Sequence, residues 1–264
     1  MNELEDFTLR LTDDRMDGVW EMVQNNLSGI PVDDLVSRLI HANRRLRALT
    51  SLREMAWTPE SEWRDALRML GSGRRLLPLV EREGGFSRLK VYLVALVKSD
   101  DPLEDRLEAF ALSLPMLAHG SACDLALEFL HLHSPRHYPL MTKWIFSWKT
   151  GTGALPYLME FSNQPGLNGQ DRFYAFGANH QELGLRLNAL QDVLKERGLA
   201  KFGAFSLDVV LAYLYSDYLY KMYFTTSKSI FSTIPTVLGV MAHLLGIPIP
   251  PEAVPTGIPV DNLA

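Results

Sequence analysis

The feature that most constrains this chain is a helical spacing of apolar residues that recurs along most of its length. Downstream of Pro31 the apolar positions repeat at intervals of three, four or seven residues: Leu35, Leu39, Leu46, Leu49 and Leu52. That period places them on one face of a helix. Acidic residues at 33 and 34 stand where negative charge favours a helix N-terminus. The segment therefore predicts an amphipathic helix.

Further segments repeat this pattern, and no segment of useful length alternates like a strand. They are TPESEWRDALRML, DDPLEDRLEAFALSLPML, SACDLALEFLHLH, HQELGLRLNALQDVLKERG and SLDVVLAYLYSDYLYKMYF. The apolar run 87–100 could be a buried helix or a strand, and its helical context favours the helix. We predict an all-α fold, a single irregular helical domain with an extended Pro-rich C-terminal tail. Its segments are an acidic one at 1–30, the helical domain at 31–228, and an apolar helix with the tail at 229–264.

Helix boundaries are predicted from capping signals. Thr58 is expected to cap a helix whose first residue is Pro59, and Ser121 to cap another, with Asp124 three residues later. Ser134 before a proline ends that second helix. The glycines of GSGRR (71–75) and the pair at 84–85 are expected to break helices, TKWIFSW to form a short helix, and Gly198 to end a helix at a C-cap.

Charge and cysteine content bound the class of protein. The net charge of −5 gives no general attraction to nucleic acid or to an anionic membrane. The charge is uneven, because residues 1–37 carry nine acids and two bases whereas residues 38–98 carry thirteen bases and six acids. A single cysteine, Cys123, excludes an internal disulfide and a cysteine cluster for zinc. With an acidic N-terminus unlike a secretory signal, this composition predicts a cytoplasmic protein.

The C-terminal segment is the most unusual part of the sequence. Residues 229–264 contain only Glu252 and Asp261 as charged side chains. The uncharged stretch 230–249 is long enough to span a bilayer, but its prolines, glycines and hydroxyls argue against that interpretation. We expect no membrane span, a packed helix in TVLGVMAHLL, and an extended proline-rich strip after it. Because prolines pre-order such a strip, it loses little entropy on binding to a surface.

The segment 131–155, which we call the elbow, gathers residue types that often carry chemistry. His131, His133 and His137 could ligate a metal, but Pro135 interrupts the helical spacing that would align them, so local hydrogen bonds are the simpler expectation. KTGTGA (149–154) has its lysine before the glycines, whereas a phosphate loop has it after them. We predict no metal and no cofactor.

The elbow also carries two resemblances to known families. LALEFLHLHSPRHYPL resembles a segment of helical DNA-glycosylase-like domains, although Met141 and Thr142 stand where those domains carry an Asp. That likeness implies fold kinship without the repair activity. Tyr138, Met141, Thr142, Trp144 and Trp148 lie in YPLMTKWIFSWKTGTGAL, which resembles the helical accessory protein encoded with the sulfur-oxidising heterodisulfide-reductase-like complex. This second likeness implies an accessory role in sulfur metabolism, beside iron–sulfur subunits, with no catalytic residue to transfer.

Together these patterns predict a non-catalytic accessory or scaffold protein. It would dock on partner proteins through the C-terminal tail and the elbow, with the five elbow residues just named as candidate binding residues. The alternative is a nucleic-acid-binding protein on a glycosylase-like scaffold, with Arg44 and Arg45 contacting phosphates. A third hypothesis is an enzyme that uses the elbow histidines or Cys123.

Overall fold

The computed structural model describes residues 3–51, 58–161, 176–221 and 236–248, and it confirms the all-α prediction. Within these ranges the chain forms helices and no strand; Ser147 and Thr152 make an isolated bridge. The helices are α1 (Glu3–Thr12), α2 (Asp17–Ser28), α3 (Asp33–Leu49), α4 (Glu60–Leu67), α5 (Gly71–Arg82), α6 (Phe86–Lys98), α7 (Leu103–Ser113), α8 (His119–His133), α9 (Ala154–Glu160), α10 (His180–Glu196), α11 (Ser206–Leu219) and α12 (Val237–Leu244). Short 3₁₀ turns precede α2 and α11.

The chain divides into two compact units. Unit 1 comprises Met1–Val36 and Thr142–Ala264, and unit 2 comprises Ser37–Met141. One boundary falls within α3 and the other within the elbow. The segments 1–30, 31–228 and 229–264 stay a prediction from composition.

Helix α8 forms the centre of unit 2. It packs against α5, α6 and α7, and α6 packs in turn against α5 and α7. Apolar residues surround much of its circumference, as expected of a helix enclosed by others; the buried ones are Ala122, Leu125, Ala126, Leu127, Phe129, Leu130 and Leu132. The predicted break at 84–85 is confirmed, because Gly84 adopts a φ of 66° between α5 and α6.

Helix α11 has the same role in unit 1, where it packs against α2, α9, α10 and α12 while α1 packs against α10. Its sequence is apolar on nearly every side, and eleven of its fourteen residues are buried. Tyr213 ties it to α2, because its hydroxyl accepts a 2.6 Å hydrogen bond from Asn26 Nδ2. Helix α11, with its tyrosines, is therefore mainly a core helix.

Two predicted caps are wrong. Helix α4 begins at Glu60 with Pro59 in the cap position, and α8 begins at His119 with Ala118 in the cap position. Both predictions placed a hydroxyl-bearing residue at the boundary by local preference. The cap of α4 lies one residue after the predicted Thr58, which is within the scale on which helix ends vary, whereas the cap of α8 lies three residues before the predicted Ser121.

The predicted break at GSGRR is also wrong in position, because these residues form the first turn of α5. Glu128 of α8 supplies the missing cap: its Oε2 accepts from the backbone N of Ser72 at 2.9 Å and from its hydroxyl at 2.7 Å. Gly73, in the same turn, lets the backbone of α5 pack closely against that of Leu67, since a β-carbon there would lie 2.0 Å from the carbonyl oxygen of Leu67. A carboxylate distant in sequence therefore caps the start of this helix.

The predicted helix in TKWIFSW is wrong as well. Residues 142–153 form turns that reverse the chain, with positive φ angles at Gly151 and Gly153. The backbone N–H groups of Ala154 and Leu155, which begin α9, donate to the carbonyls of Trp144 and Ile145 at 2.8 and 3.1 Å. Backbone pairing within the reversal therefore replaces a helix.

The remaining helix ends follow the sequence closely. Ser134 ends α8, and Gly198 follows α10 with a φ of 72°, both as predicted. TVLGVMAHLL contains α12, which packs against α11. No helix within the described ranges combines the length and apolarity needed to cross a membrane. The Pro-rich strip 249–264 lies outside the described residues.

Candidate functional site

Tyr138, one of the predicted elbow residues, is held by a hydrogen bond to its hydroxyl, another to its carbonyl and a cation beside its ring. Its hydroxyl accepts a 3.0 Å hydrogen bond from Arg106 Nη2, and the Arg106 guanidinium lies 5.3 Å from the centre of its ring. His131 Nδ1 donates to the Tyr138 backbone carbonyl at 2.9 Å. Arg106 is buried and also donates to the carbonyl of Leu96. Tyr138 thus anchors a buried cation within unit 2.

Met141 and Trp144 are core residues rather than exposed contacts. They expose 4% and 8% of their surface, which leaves little for another molecule to touch. Trp144 packs 6.1 Å from the ring of Tyr215. Its indole nitrogen and the hydroxyl of Thr142 are buried without a hydrogen-bond partner in the described part of the chain.

Trp148 is half-buried and closes a turn of unit 1. Its indole nitrogen donates to the carbonyl of Gly177 at 2.9 Å, and its ring meets those of Phe146 and His180 edge to face. The elbow residues therefore fall into two groups, Tyr138 and Met141 in unit 2 and the other three in unit 1. Each group has a structural role in its own unit.

Two histidines of the elbow form side-chain hydrogen bonds, His131 with the Tyr138 carbonyl and His133 with two hydroxyls. His133 lies between the hydroxyls of Thr50 and Ser134, at 2.9 and 2.8 Å. Burial, with the charges of Arg47 and Lys98, lowers the pKa of His133 to about 4. Across residues 3–51, 58–161, 176–221 and 236–248, no group of three or more His, Cys, Asp or Glu side chains is placed to hold a metal ion.

The arginines of α3 lie on its solvent side. Arg44 is exposed, and Arg45 makes a long 3.9 Å ion pair with Asp65 of α4. Asn43, on the other side of the helix, donates to the carbonyls of Leu132 and His133 at 2.7 and 3.1 Å and so fixes the orientation of α3. Arg44 forms no ion pair with any described residue.

Acids near the N-terminus pair with an arginine of α10 and with the arginine that directly follows that helix. A carboxylate oxygen of Glu3 lies 2.9 Å from Nη2 of Arg186, and Asp17 pairs with Arg197. Two further acids pair with neighbours in sequence, Asp6 with Arg10 and Asp13 with Arg15. These four carboxylates thus have their cations within unit 1.

Cys123 lies beside a histidine that contacts a carboxylate, an arrangement that the sequence analysis did not predict. Its Sγ lies 3.8 Å from His119 Nδ1, and His119 Nε2 lies 2.7 Å from a carboxylate oxygen of Glu108. Burial and the acids Asp124, Glu108 and Glu104 raise the pKa of the Cys123 thiol to about 11. At neutral pH the thiol therefore stays protonated and is a poor nucleophile.

Helix α6 presents an exposed apolar strip that sequence reasoning missed. Arg88, Val91, Tyr92, Ala95 and Lys98 follow the spacing of one helix face, and all five are exposed. Val91 and Tyr92 expose 62% and 36% of their surface. The opposite face is buried against its neighbours through Phe86, Leu89, Leu93, Val94 and Leu96. We call the five exposed residues the α6 strip.

The sequence of α6 does not by itself indicate the α6 strip. FSRLKVYLVALVK has apolar residues on all sides, and such a helix is usually enclosed completely. The number of predicted helices does not show whether enough of them pack around α6 to enclose it. In unit 2 one side of α6 remains open to solvent.

A cluster of rings and charges lies at the end of α11 in unit 1. Asp217 Oδ2 accepts from the hydroxyl of Tyr157 at 2.8 Å and from Lys221 Nζ at 2.6 Å. The same ammonium lies 5.9 Å from the ring centre of Tyr157 and 5.8 Å from that of Phe161. Tyr218 packs beside them, with its ring centre 5.0 Å from that of Tyr157.

Comparison of the chain with protein-family models, with curated proteins and with solved structures finds no match.

Proposed function

We propose that this chain is an accessory protein that docks on a partner protein, with the α6 strip as its contact surface. The observation that carries the proposal is the pair of exposed apolar side chains, Val91 and Tyr92, on a helix whose other face is fully packed. Arg88 and Lys98 flank them and form no ion pair with a described residue. Apolar centres with charged rims are typical of protein interfaces.

The charges of the α6 strip indicate what the partner surface looks like. Cations at both ends favour a partner that presents an apolar strip between acidic residues. A second copy of the same strip fits less well, because an antiparallel pairing would bring Arg88 of one chain near Lys98 of the other. The resemblance in the elbow makes subunits of an iron–sulfur redox complex the first partners to test. The strip 249–264 is proposed as a second anchor on the same partner.

The test is a native pull-down with the full chain and matched variants. Val91→Asp places a charge in the centre of the strip and should lower the affinity for the partner about tenfold or more. Leu9→Asp is the control, because Leu9 of α1 is also an exposed apolar residue, at 56%. A partner that binds the wild type and Leu9→Asp but not Val91→Asp supports the proposal. Equal binding of all three chains contradicts it.

The C-terminal strip is tested separately with a chain truncated after Gly246. Loss of the partner with the fold retained, measured by circular dichroism, supports an anchoring role for the strip. Retention of the partner at unchanged affinity assigns the interaction to the α6 strip alone. An Arg88→Ala/Lys98→Ala chain should bind more slowly, and its association rate should depend less on salt.

A second candidate function is nucleic-acid binding through α3. The exposed Arg44, which pairs with no acid in the described part of the chain, and the weakly paired Arg45 favour it. The charge of unit 2 as a whole does not, since it carries fifteen Lys or Arg against thirteen Asp or Glu. This balance is why we rank a protein partner first.

Fluorescence anisotropy with labelled duplex DNA at two salt concentrations tests this candidate. Arg44→Ala/Arg45→Ala should weaken binding and reduce the salt slope by about 2, since each neutralised phosphate contributes about 0.9. Arg15→Ala, which changes an exposed arginine paired with Asp13 in unit 1, is the control. A wild-type chain that binds no duplex, or variants with an unchanged slope, would remove the candidate.

A further inference from the structure

Helix α7 has an exposed face of its own in unit 2. Asp105, Glu108, Ala109 and Leu112 follow the spacing of one helix side, and all four are exposed. Leu112 exposes 69% of its surface, more than any other large apolar residue in the described part of the chain. The opposite side of α7 is buried. We call these four residues the α7 face.

Helices α6 and α7 form an antiparallel hairpin, joined by residues 99–102 and packed against each other. Near the turn, Arg106 Nη1 of α7 donates to the carbonyl of Leu96 in α6 at 3.0 Å. Near the other end, a β-carbon on Gly85, just before α6, would lie 2.7 Å from Cε of Met116, which follows α7. These two contacts fix the register of the hairpin.

The α6 strip and the α7 face therefore form one surface. In this register Tyr92 lies level with Ala109, and because both are exposed they lie on the solvent side of the groove between the helices. Val91 and Leu112 flank them, one on each helix. The hairpin thus presents an apolar patch that extends over both of its helices.

Opposite charges lie at the turn end of this surface. Lys98 is the last residue of α6, Asp105 lies in the first turn of α7, and both are exposed. Neither forms an ion pair with a described residue. Glu108 is different, because it already pairs with His119 at 2.7 Å. Lys98 and Asp105 are therefore the charges of this surface that can pair with another molecule.

Two copies of this surface are complementary. A two-fold axis parallel to the hairpin places the α6 strip of one copy against the α7 face of the other, and the second contact is then identical to the first. This axis keeps the turns of both hairpins at the same end of the pair. Lys98 of each copy then faces Asp105 of the other, whereas contact of strip with strip brings Arg88 near Lys98.

We propose that a second copy of this chain occupies the α6 strip in the free protein, through its α7 face. The strip is the docking surface proposed above, so a partner protein binds it only after the dimer dissociates. That competition rests on the proposed function, whereas the dimer itself does not. Two short helices on each side make a small interface, and small interfaces bind weakly, so we expect a dissociation constant in the micromolar range.

Sedimentation equilibrium of the full-length chain over a series of concentrations measures the dimer. The mass of the wild type should rise towards that of two chains. Lys98→Glu and Asp105→Lys each place like charges at both contacts and should weaken the dimer about tenfold or more. An equimolar mixture of these two variants should dimerise like the wild type, because each chain then supplies the charge that the other lacks.

Leu112→Asp tests the apolar part of the interface and should also weaken the dimer about tenfold or more. Leu185→Asp is its control, because Leu185 of α10 is an exposed apolar residue of unit 1. It should dimerise like the wild type. Circular dichroism checks that all variants keep the fold, as expected for exposed positions.

Four results would overturn the proposed dimer. They are a wild type that stays monomeric, charge variants that dimerise like the wild type, a mixture that does not recover the dimer, and a mass that grows beyond two chains, since an open assembly has no two-fold axis.

The competition is tested in the pull-down described above. Leu112→Asp leaves the α6 strip intact, so it should capture the partner at least as well as the wild type does, and a weaker capture would contradict the competition. A partner bound equally by the wild type and Val91→Asp would remove the docking function alone. Because sedimentation uses only the purified chain, the two proposals can fail separately.

Discussion

The hydroxyl of Thr50 lies 2.9 Å from Nε2 of His133, although 83 residues separate the two in sequence. Thr50 follows the last residue of α3, and His133 is the last residue of α8. The contact therefore joins the C-terminal ends of two helices within unit 2. It holds a neutral imidazole, because burial and the nearby cations Arg47 and Lys98 disfavour the charged form.

This environment makes stability depend on pH. The ordinary pKa of 6.5 applies to His133 in the unfolded chain and falls to about 4 in the folded one. Between these values the unfolded chain binds the proton more readily, so the free energy of unfolding decreases as the pH falls from 6.5 towards 4. His133→Gln cannot titrate at this position. Between pH 7 and pH 5 its free energy of unfolding should therefore fall by about 1–2 kcal/mol less than that of the wild type, after allowance for partial solvent exposure.

Urea unfolding at several pH values measures the effect. His137→Gln is the control, because His137 is exposed. The relevant quantity is the difference between variants, since burial raises the pKa of Glu128 and this group acts in the opposite direction. Identical pH profiles for the wild type and His133→Gln would contradict the prediction.

The two glycines Gly73 and Gly120 should respond oppositely to alanine. A β-carbon at Gly73 would lie 2.0 Å from the carbonyl oxygen of Leu67, so the backbone must shift. The free energy of unfolding of Gly73→Ala should therefore be lower by about 1–3 kcal/mol. Gly120, in the first turn of α8, has no atom within 4 Å of such a carbon, and alanine should stabilise it by up to about 1 kcal/mol. Urea unfolding of both variants checks the signs, and a stable Gly73→Ala chain would show the prediction wrong.

Ser72 should matter far more than Ser87, although each donates its hydroxyl to a glutamate. Ser72 is fully buried and donates to Glu128 at 2.7 Å, whereas Ser87 is exposed and donates to Glu60 at 3.2 Å. Ser72→Ala should cost about 1.5–3 kcal/mol, the range for hydrogen bonds to charged groups. Ser87→Ala should change stability by less than about 0.5 kcal/mol. Thermal or urea unfolding gives both values, and similar losses would refute the distinction.

The thiol of Cys123 should react slowly at neutral pH. A pKa of about 11, instead of the ordinary 9.0, lowers the thiolate fraction at pH 7 about 100-fold, and the rate of alkylation follows that fraction. Iodoacetamide labelling followed by mass spectrometry measures the rate, with free cysteine as reference and Cys123→Ser to exclude other sites. Labelling at pH 7 as fast as that of free cysteine would mean that His119 activates the thiol after all.

Helix positions were readable from the sequence because apolar period and helix breakers act over a few residues. The pattern around Leu39 and Leu46 predicts α3, Ser134 ends α8, and Gly198 follows α10. The start of α5 was not readable, because its cap is Glu128, a carboxylate 56 residues away. The turns after Met141 were not readable either, since backbone pairing of Trp144 with Ala154 replaces the helix that local preference favoured.

The candidate sites divide in the same way. Sequence reasoning selected the elbow aromatics because they lie in a segment that resembles a known family, yet Trp144 is a core residue and Tyr138 supports a buried arginine. It missed Val91, because a mixed apolar run does not reveal which face of a helix will be covered. It also missed the hydrogen bond between Tyr157 and Asp217, which are 60 residues apart.

The sequence by itself determined that this chain forms helices, where most of them lie, and how its charge is distributed, because each depends on residues that are near neighbours along the chain. Only the tertiary structure decided which apolar face stays exposed and which histidine stays neutral. These properties depend on contacts between helices, and such contacts form only when residues distant in sequence are packed together.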